Sequence, residues 1–344
     1  MGLFDNTLKS NESLFIDENV LDFNYLPKIM KYREDQQKYV AECIKPLFSD
    51  RSGKNLLISG KPGIGKTSAV RFVLRELEEK DDDISCIYVN CWKENTSFKV
   101  ISSICEQVNY NWTQTRNINE LLKECSKKIE KTVIVLDEID KLNEKDILYS
   151  LLESIKNKCI FLITNDLNFL ALLDNRIRSR LLAETINFKE YNLNETEGIL
   201  KQRIELAFVN NVWDKNVFNE VVKKCHALKD IRSGLFLIKD AGNLAESSGS
   251  KKILIEHCKK SIEKLSTFKL RNSLDFSDDK LTILNLIKEN SGKKCIELFK
   301  LYQTNGGDKS YQTFKRNVFD LEKSKVISIK NDIEGIIVKY GILE

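Results

Sequence analysis

The feature that most constrains this chain is a short apolar run that ends abruptly at a glycine. Asn55-Leu56-Leu57-Ile58-Ser59 leads into Gly60-Lys61-Pro62-Gly63-Ile64-Gly65-Lys66-Thr67, and a helical pattern follows from Ser68 to Glu79. A strand, a G-x-x-x-x-G-K-[ST] loop and a helix, in that order, make a phosphate-binding loop. The glycines let the main chain wrap closely, so that N–H groups and the helix N-terminus face phosphate oxygens. On this reading Gly60, Pro62, Gly63, Ile64, Gly65, Lys66, Thr67 and Ser68 surround the phosphates of ATP or ADP. Lys66 reaches the β- and γ-phosphates, and the Thr67 hydroxyl coordinates Mg²⁺.

The rest of the chain supplies the sheet that such a loop needs. Ile84 to Asn90, Thr132 to Leu136 and Cys159 to Ile163 are further strand-like apolar runs, separated by helical stretches at Ile101 to Val108 and Ile118 to Ile129. Four continuous runs of this kind describe a parallel sheet buried on both faces. Upstream, Val40, Cys43, Ile44 and Leu47 recur at helical spacing. Residues 20–190 therefore read as a three-layer α/β base, with residues 1–19 a polar, loose arm. After Phe188 the strands stop. Glu195 to Ala207, Asp214 to Cys225, Ile231 to Ser247 and Ile253 to Leu265 read as amphipathic helices of an α-helical lid, residues 191–268. Residues 269–344 then give three helical segments, Lys280 to Glu289, Lys294 to Tyr302 and Ser310 to Ser324. Two strand-like runs follow, around a polar turn at Asn331 to Gly335. That order is a winged helix.

Composition narrows the setting. The 344 residues suit two or three domains, and 42% hydrophobic with 31% charged residues is ordinary for a globular protein. No apolar stretch approaches the roughly 20 residues that a bilayer requires, and the first residues carry no signal-peptide pattern. A cytoplasmic protein with no membrane partner is expected. Nine cysteines without a C-x-x-C pair and only two histidines exclude a zinc framework. They read as unpaired thiols in a reducing compartment, used as small apolar residues.

Further residues carry chemistry. Val133-Ile134-Val135-Leu136-Asp137-Glu138 is an apolar strand ending in two carboxylates. Asp137 would hold the magnesium shell, and Glu138 would polarise an attacking water as general base. Asn165 follows the run ending at Ile163, where it could orient that water or cap a helix. Asn175-Arg176-Ile177-Arg178-Ser179-Arg180-Leu181 concentrates arginines on an edge, suited to a neighbour's phosphate oxygens. Arg232, at the start of a lid helix, could close over the γ-phosphate.

In this order the pieces resemble the AAA+ ATPases, and more narrowly the archaeal origin-recognition and cell-division-control replication initiators. Leu26-Pro27 followed by Tyr32-Arg33-Glu34 resembles that family's approach to the nucleotide, and the resemblance sets Pro27 and Arg33 against the adenine. Leu136 to Asp140 resembles its Walker B strand, Thr164-Asn165-Asp166 its first sensor, and Leu173 to Leu181 its arginine-finger box. The finger is Arg180. Ile186 to Tyr191 resembles the link into the lid, with Tyr191 among the nucleotide contacts, and Asp230-Ile231-Arg232 the second sensor. Lys229 departs from the glycine usual before that aspartate. The family also implies a DNA-contacting insertion near Trp92 to Val108, for which Asn95 to Lys99 are candidates.

The resemblance implies an initiator that binds double-stranded origin DNA and promotes helicase loading. It further implies slow, switch-like hydrolysis of ATP, and self-association or pairing with a paralogue through the arginine finger. In the winged helix, Phe314, Val318 and Leu321 face a core and leave Tyr311, Gln312, Lys315 and Arg316 outward for a DNA groove, with Lys330 at the start of the wing. From Phe268 onward there are 14 Lys and Arg against 11 Asp and Glu, a mild balance of +3. Two other readings stay open: a regulatory ATPase whose winged helix contacts protein, and a clamp-loader-like assembly ATPase, which would end in a helical collar.

Overall fold

The computed structural model describes residues 13–110, 113, 116–273, 278–307, 309–323, 327–332 and 335–340. It divides into two compact units, one up to Ser261 and one from Ile262. The first unit is built on a five-stranded parallel sheet: β1 (Leu56–Ser59), β2 (Ile84–Asn90), β3 (Lys131–Asp137), β4 (Asn157–Thr164) and β5 (Glu184–Asn187), in the order β2-β3-β4-β1-β5. The chain leaves β1 for the far edge, returns through β3 and β4, and places β5 on the other side of β1. Open sheets of this kind bind ligands outside the carboxyl ends of their strands, where the order reverses.

The unbroken apolar runs are explained by two cores, one on each face of the sheet. On β3, Ile134 and Leu136 join one core while Val133 and Val135 join the other, and β4 alternates in the same way. One face is covered by α1 (Glu34–Ile44) and α2 (Lys66–Glu78). The other is covered by α3 (Ser97–Gln107), α4 (Ile118–Lys128), α5 (Asp146–Ser154) and α6 (Asn175–Leu181). Sequence reading expected four strands and missed β5. Its residues, Glu-Thr-Ile-Asn, lie at the sheet edge and carry no continuous apolar signal.

The lid follows as α7 (Leu193–Ala207), α8 (Lys215–Leu228) and α9 (Ile231–Ser247), continued by α10 (Ile255–Ser273). α7 starts in a capping box of Asn192 and Glu195. Residues 13–19, expected as part of a loose arm, pack on the lid instead, and Val20 does so with them. Ser13 Oγ and the Leu14 N–H both donate to Glu246 Oε1, at 2.6 and 2.7 Å. The Phe15 ring lies 4.5 Å from Phe208, and Arg203 of α7 donates to the Val20 carbonyl at 3.0 Å. The cysteine expectation is also corrected: Cys105 of α3 and Cys125 of α4 are joined by a disulfide inside the core, while the other seven form no disulfide and, apart from half-buried Cys86, are buried.

In the second unit α11 (Asp278–Glu289), α12 (Cys295–Thr304) and α13 (Tyr311–Lys323) precede a hairpin of β6 (Ile327–Asp332) and β7 (Gly335–Tyr340). Leu298, Phe314, Val318, Leu321 and Val338 share its core. Three helices and a hairpin are the winged-helix arrangement. Glu334 and Ser324, which the sequence reading included, lie outside the described residues.

His257 supplies a test of lid packing. Its ring is buried, accepts the Leu254 N–H at Nδ1 (3.1 Å) and lies 3.2 Å from Ser248 Oγ at Nε2. Burial holds it below its ordinary pKa of 6.5. The unfolded chain takes up a proton where the folded ring does not, so the stabilisation is full above that value and is lost as pH falls through the folded pKa. Urea unfolding between about pH 7 and about pH 5.5 should show the wild type losing stability more steeply than His257→Gln. Equal slopes would exclude a buried neutral imidazole.

Candidate functional site

The loop between β1 and α2 turns with Gly60, Gly63 and Gly65 at φ of 143°, 73° and 87°. Gly63 has no room for a side chain, since a Cβ there would lie 1.9 Å from Asp230 Oδ1. Lys66 opens α2 and is buried. Its ammonium donates to the Gly60 and Lys61 carbonyls, at 2.7 and 2.8 Å, and to Asn165 Oδ1 of the β4 tip at 2.8 Å. Burial lowers its pKa to about 8, against the pull of the nearby Asp137 carboxylate.

Asp137, buried at the end of β3, meets the loop from the other side. Its Oδ2 accepts Thr67 Oγ1 at 2.7 Å and the Tyr88 hydroxyl of β2 at 2.6 Å, and its Oδ1 accepts the Glu138 N–H at 2.8 Å. Glu138 takes a left-handed backbone, φ 52°, uncommon for a residue with a side chain. Burial, and then Asp137 and Asp140, raise its carboxyl above the ordinary range. Thr164 Oγ1 of β4 donates to Asp140 at 2.9 Å.

The lid touches this loop directly. The Ile231 N–H donates to the Gly63 carbonyl at 3.1 Å. Asp230 caps α9 and holds Arg232 through both carboxylate oxygens, at 3.1 and 3.2 Å. Lys229 ends α8 at φ 55°, which accounts for glycine being usual there in the family. Here its ammonium pairs with Glu190 at 2.6 Å, and Glu190 pairs with Lys61 of the loop at 2.5 Å.

Between loop and lid lies a cavity of ≈ 290 Å³. Pro62, Gly63, Gly65, Lys66, Thr67, Ser68, Asp137, Glu138, Asn165, Tyr191 and Arg232 line its polar end. Phe23, Tyr25, Leu26, Pro27, Met30, Ile199 and Leu235 form an apolar slot at the other. Such donors suit a polyphosphate, and such a slot suits a planar ring system. Thr67 and Asp137 offer only oxygen, which suits a hard cation. No group of three or more His, Cys, Asp or Glu could hold a metal among the described residues. A cation here would keep several waters and lean on phosphate oxygens, the usual habit of magnesium.

Three expected contacts do not line the cavity: Gly60, Ile64 and Arg33. Ile64 sits in the core below the loop. Arg33, expected against the adenine, is buried behind the loop. Its guanidinium donates to the Ile64 carbonyl at 3.0 and 3.2 Å and to the Lys189 carbonyl at 2.7 Å, and it lies 3.7 Å from the Tyr191 ring centre. With the Tyr32 carbonyl accepting from Nη1 at 3.3 Å, four of its five N–H donors are spent on main-chain carbonyls. Tyr88 was missed altogether, because a tyrosine within a strand reads as packing.

Arg180 is remote from the cavity. On α6 it pairs with Glu153 at 2.6 Å and stacks on Tyr149 at 4.8 Å. Arg176 and Arg178 are exposed beside it. Asn95 accepts the Asn143 N–H at its carbonyl (3.0 Å), and Ser97 is tied to Glu144, so that the approach to α3 is anchored. In the second unit, Gln312 and Arg316 of α13 are exposed, Lys315 is half-buried, and Lys330 is exposed within β6 rather than in the turn. Tyr311 does not face outward as expected. Its ring packs edge-on against Phe299 at 5.1 Å.

A family described as an AAA domain matches residues 50–179, and one described as a Cdc6 AAA+ ATPase-type lid domain matches residues 197–263. The ORC1-type DNA replication protein 1 of Archaeoglobus fulgidus is 32% identical over 318 residues, covering 85% of this chain and 76% of that protein. Its namesake from Sulfurisphaera tokodaii is 32% identical over 315 residues, covering 85% and 78%. Among solved structures, the Aeropyrum pernix ORC1 protein in complex with DNA has a TM-score of 0.69 at 24% identity, covering 97% of this chain and 94% of that one. The Aeropyrum pernix ORC2 protein, in ADPNP and ADP complexes, has a TM-score of 0.67 at 19% identity, covering 96% and 94%. The last two show the fold.

Arg33→Met should destabilise the first unit by on the order of 3 kcal/mol, because the buried Ile64 carbonyl and the Lys189 carbonyl lose a charged donor. Urea unfolding measures this directly, and a loss below about 1 kcal/mol would mean that the guanidinium does not hold the loop.

Proposed function

We propose that this chain, which belongs to the ORC1-type DNA replication protein family, is an ATP-switched initiator that binds origin DNA and promotes loading of the replicative helicase. The observation that carries the reading is the meeting of two distant segments at one cavity: Lys66 and Thr67 of the loop reach Asn165 and Asp137 at 2.8 and 2.7 Å.

In this reading the loop N–H groups and Lys66 take the β- and γ-phosphates of ATP, and the slot around Pro27 and Met30 takes the base. Thr67 and Asp137 would hold Mg²⁺, which when bound offsets the charge shared by those phosphates. Glu138 accepts the proton of the attacking water, and Asn165 orients that water. Arg232 exchanges Asp230 for the γ-phosphate as the lid settles. Arg180 exchanges Glu153 for the nucleotide of a neighbouring copy or paralogue, so an isolated protomer lacks one cation of the complete site. Slow, switch-like hydrolysis follows from that incompleteness.

Gln312, Lys315 and Arg316 on α13 and Lys330 on β6 are the proposed DNA contacts, with Tyr311 supporting the helix from within. The relatives' naming as DNA replication proteins supports this reading over a module that contacts only protein. A clamp-loader-like role loses ground because α11 to α13 end in a hairpin and not in a helical collar. No described helix is long and apolar enough to cross a membrane, and a cytoplasmic, nucleoid-bound protein fits the role.

Fluorescence anisotropy with duplex DNA tests the reading. With ATP present, affinity should fall steeply with salt, and a Lys315→Ala/Arg316→Ala double variant should flatten the log–log slope by about 2. No duplex affinity at low salt would favour the protein-contacting regulator.

A further inference from the structure

We propose that Tyr88 is a positioning residue for the divalent cation, fixing the Asp137 carboxylate so that a single acceptor direction remains open to the cavity. This rests on the cavity taking a nucleotide with its cation. An ionised carboxylate offers about four lone-pair directions. Three are occupied here: Thr67 Oγ1 and the Tyr88 hydroxyl share Oδ2 at 2.7 and 2.6 Å, and the Glu138 N–H takes one site on Oδ1 at 2.8 Å. The remaining one is what a cation-bound water can use.

Tyr88 reaches this oxygen because of strand register. Asn90 of β2 lies beside Asp137 of β3, and Tyr88 lies beside Val135. Residues two apart share a face, so the long tyrosine side chain extends along the strand edge to the carboxylate. Asn90 Oδ1 accepts the Trp92 N–H at 2.9 Å, which fixes the end of β2, and the Arg71 guanidinium stands 5.7 Å from the Tyr88 ring centre. Tyr88 and Thr67 thus grip one oxygen from opposite segments, β2 and α2. With Oδ2 saturated, the carboxylate can neither rotate nor chelate a cation through both oxygens. It serves as an outer partner through water, and the Thr67 oxygen, its proton committed to Asp137, keeps its lone pair for the cation.

Tyr88→Phe removes the hydroxyl and keeps the ring. A fluorescent ADP analogue is titrated into the full-length protein in EDTA and across a Mg²⁺ series, with wild type and variant in parallel. The variant should bind the metal-free analogue within about twofold of wild type and need roughly tenfold more Mg²⁺ for half of the metal-dependent gain. Equal Mg²⁺ midpoints would overturn the proposal. So would an equal loss of affinity with and without metal, which would mark Tyr88 as packing alone. Wild-type binding that ignores Mg²⁺ overturns this proposal and leaves the nucleotide reading intact. No wild-type binding under any condition overturns both.

Discussion

A lysine ammonium taken out of water costs several kcal/mol unless oxygen atoms surround it. Lys66 meets that demand with two carbonyls of its own loop and the Asn165 side chain. The consequence is geometric. Carbonyls of Gly60 and Lys61 turn towards the ammonium, and β4 must end beside β1 so that Asn165 can reach it. Behind the loop a second cation acts in the same way. Arg33 draws the Ile64 carbonyl outward and ties it to Lys189 at the start of the lid. Two cations on opposite sides thus set the direction of successive peptides, and a loop of small residues, with little packing of its own, keeps one shape.

The contacts from lid to loop are of a different kind. Ile231 to Gly63 is a single main-chain hydrogen bond, and the Lys61–Glu190–Lys229 chain is largely exposed. Exposed pairs of this sort contribute only about 0–1 kcal/mol. A rigid loop under a weakly held lid is what a switch needs, since the lid can respond to a phosphate without the loop losing its form. Arg232 and Arg180 show the same economy. Each pairs with a neighbouring carboxylate, Asp230 or Glu153.

What was legible in the sequence follows from how each element is buried. β3 and β4 announced themselves because both faces are covered, leaving no polar residue inside the run. β5 did not, because a four-residue edge strand alternates and mixes polar side chains. The loop, Asp137, Glu138 and Asn165 were legible because their chemistry is confined to fixed positions after strands. Arg33 was recognised as important and given the wrong neighbour, since sequence cannot say whether a guanidinium faces a ligand or a main-chain carbonyl. Tyr88 and the packing of Ser13 and Phe15 on the lid depend on partners 49 and more than 190 positions away. Tyr311 points inward because it leads α13, beside Phe299 of α12, where helical spacing alone places it on the border.

The central claim is that one loop of main-chain amides, organised around a buried ammonium, receives a nucleotide. Calorimetric titration of ATP with magnesium into the wild type and Lys66→Met tests it most directly. Methionine fills the same space but leaves the Gly60 and Lys61 carbonyls and Asn165 Oδ1 without their donor. The variant should therefore also unfold at a lower temperature without nucleotide, and the titration is run well below both transitions. The wild type should saturate at one nucleotide per chain, and the variant should bind at least about tenfold more weakly, the loss of one charge-assisted contact. Equal affinity in the two proteins would contradict the claim.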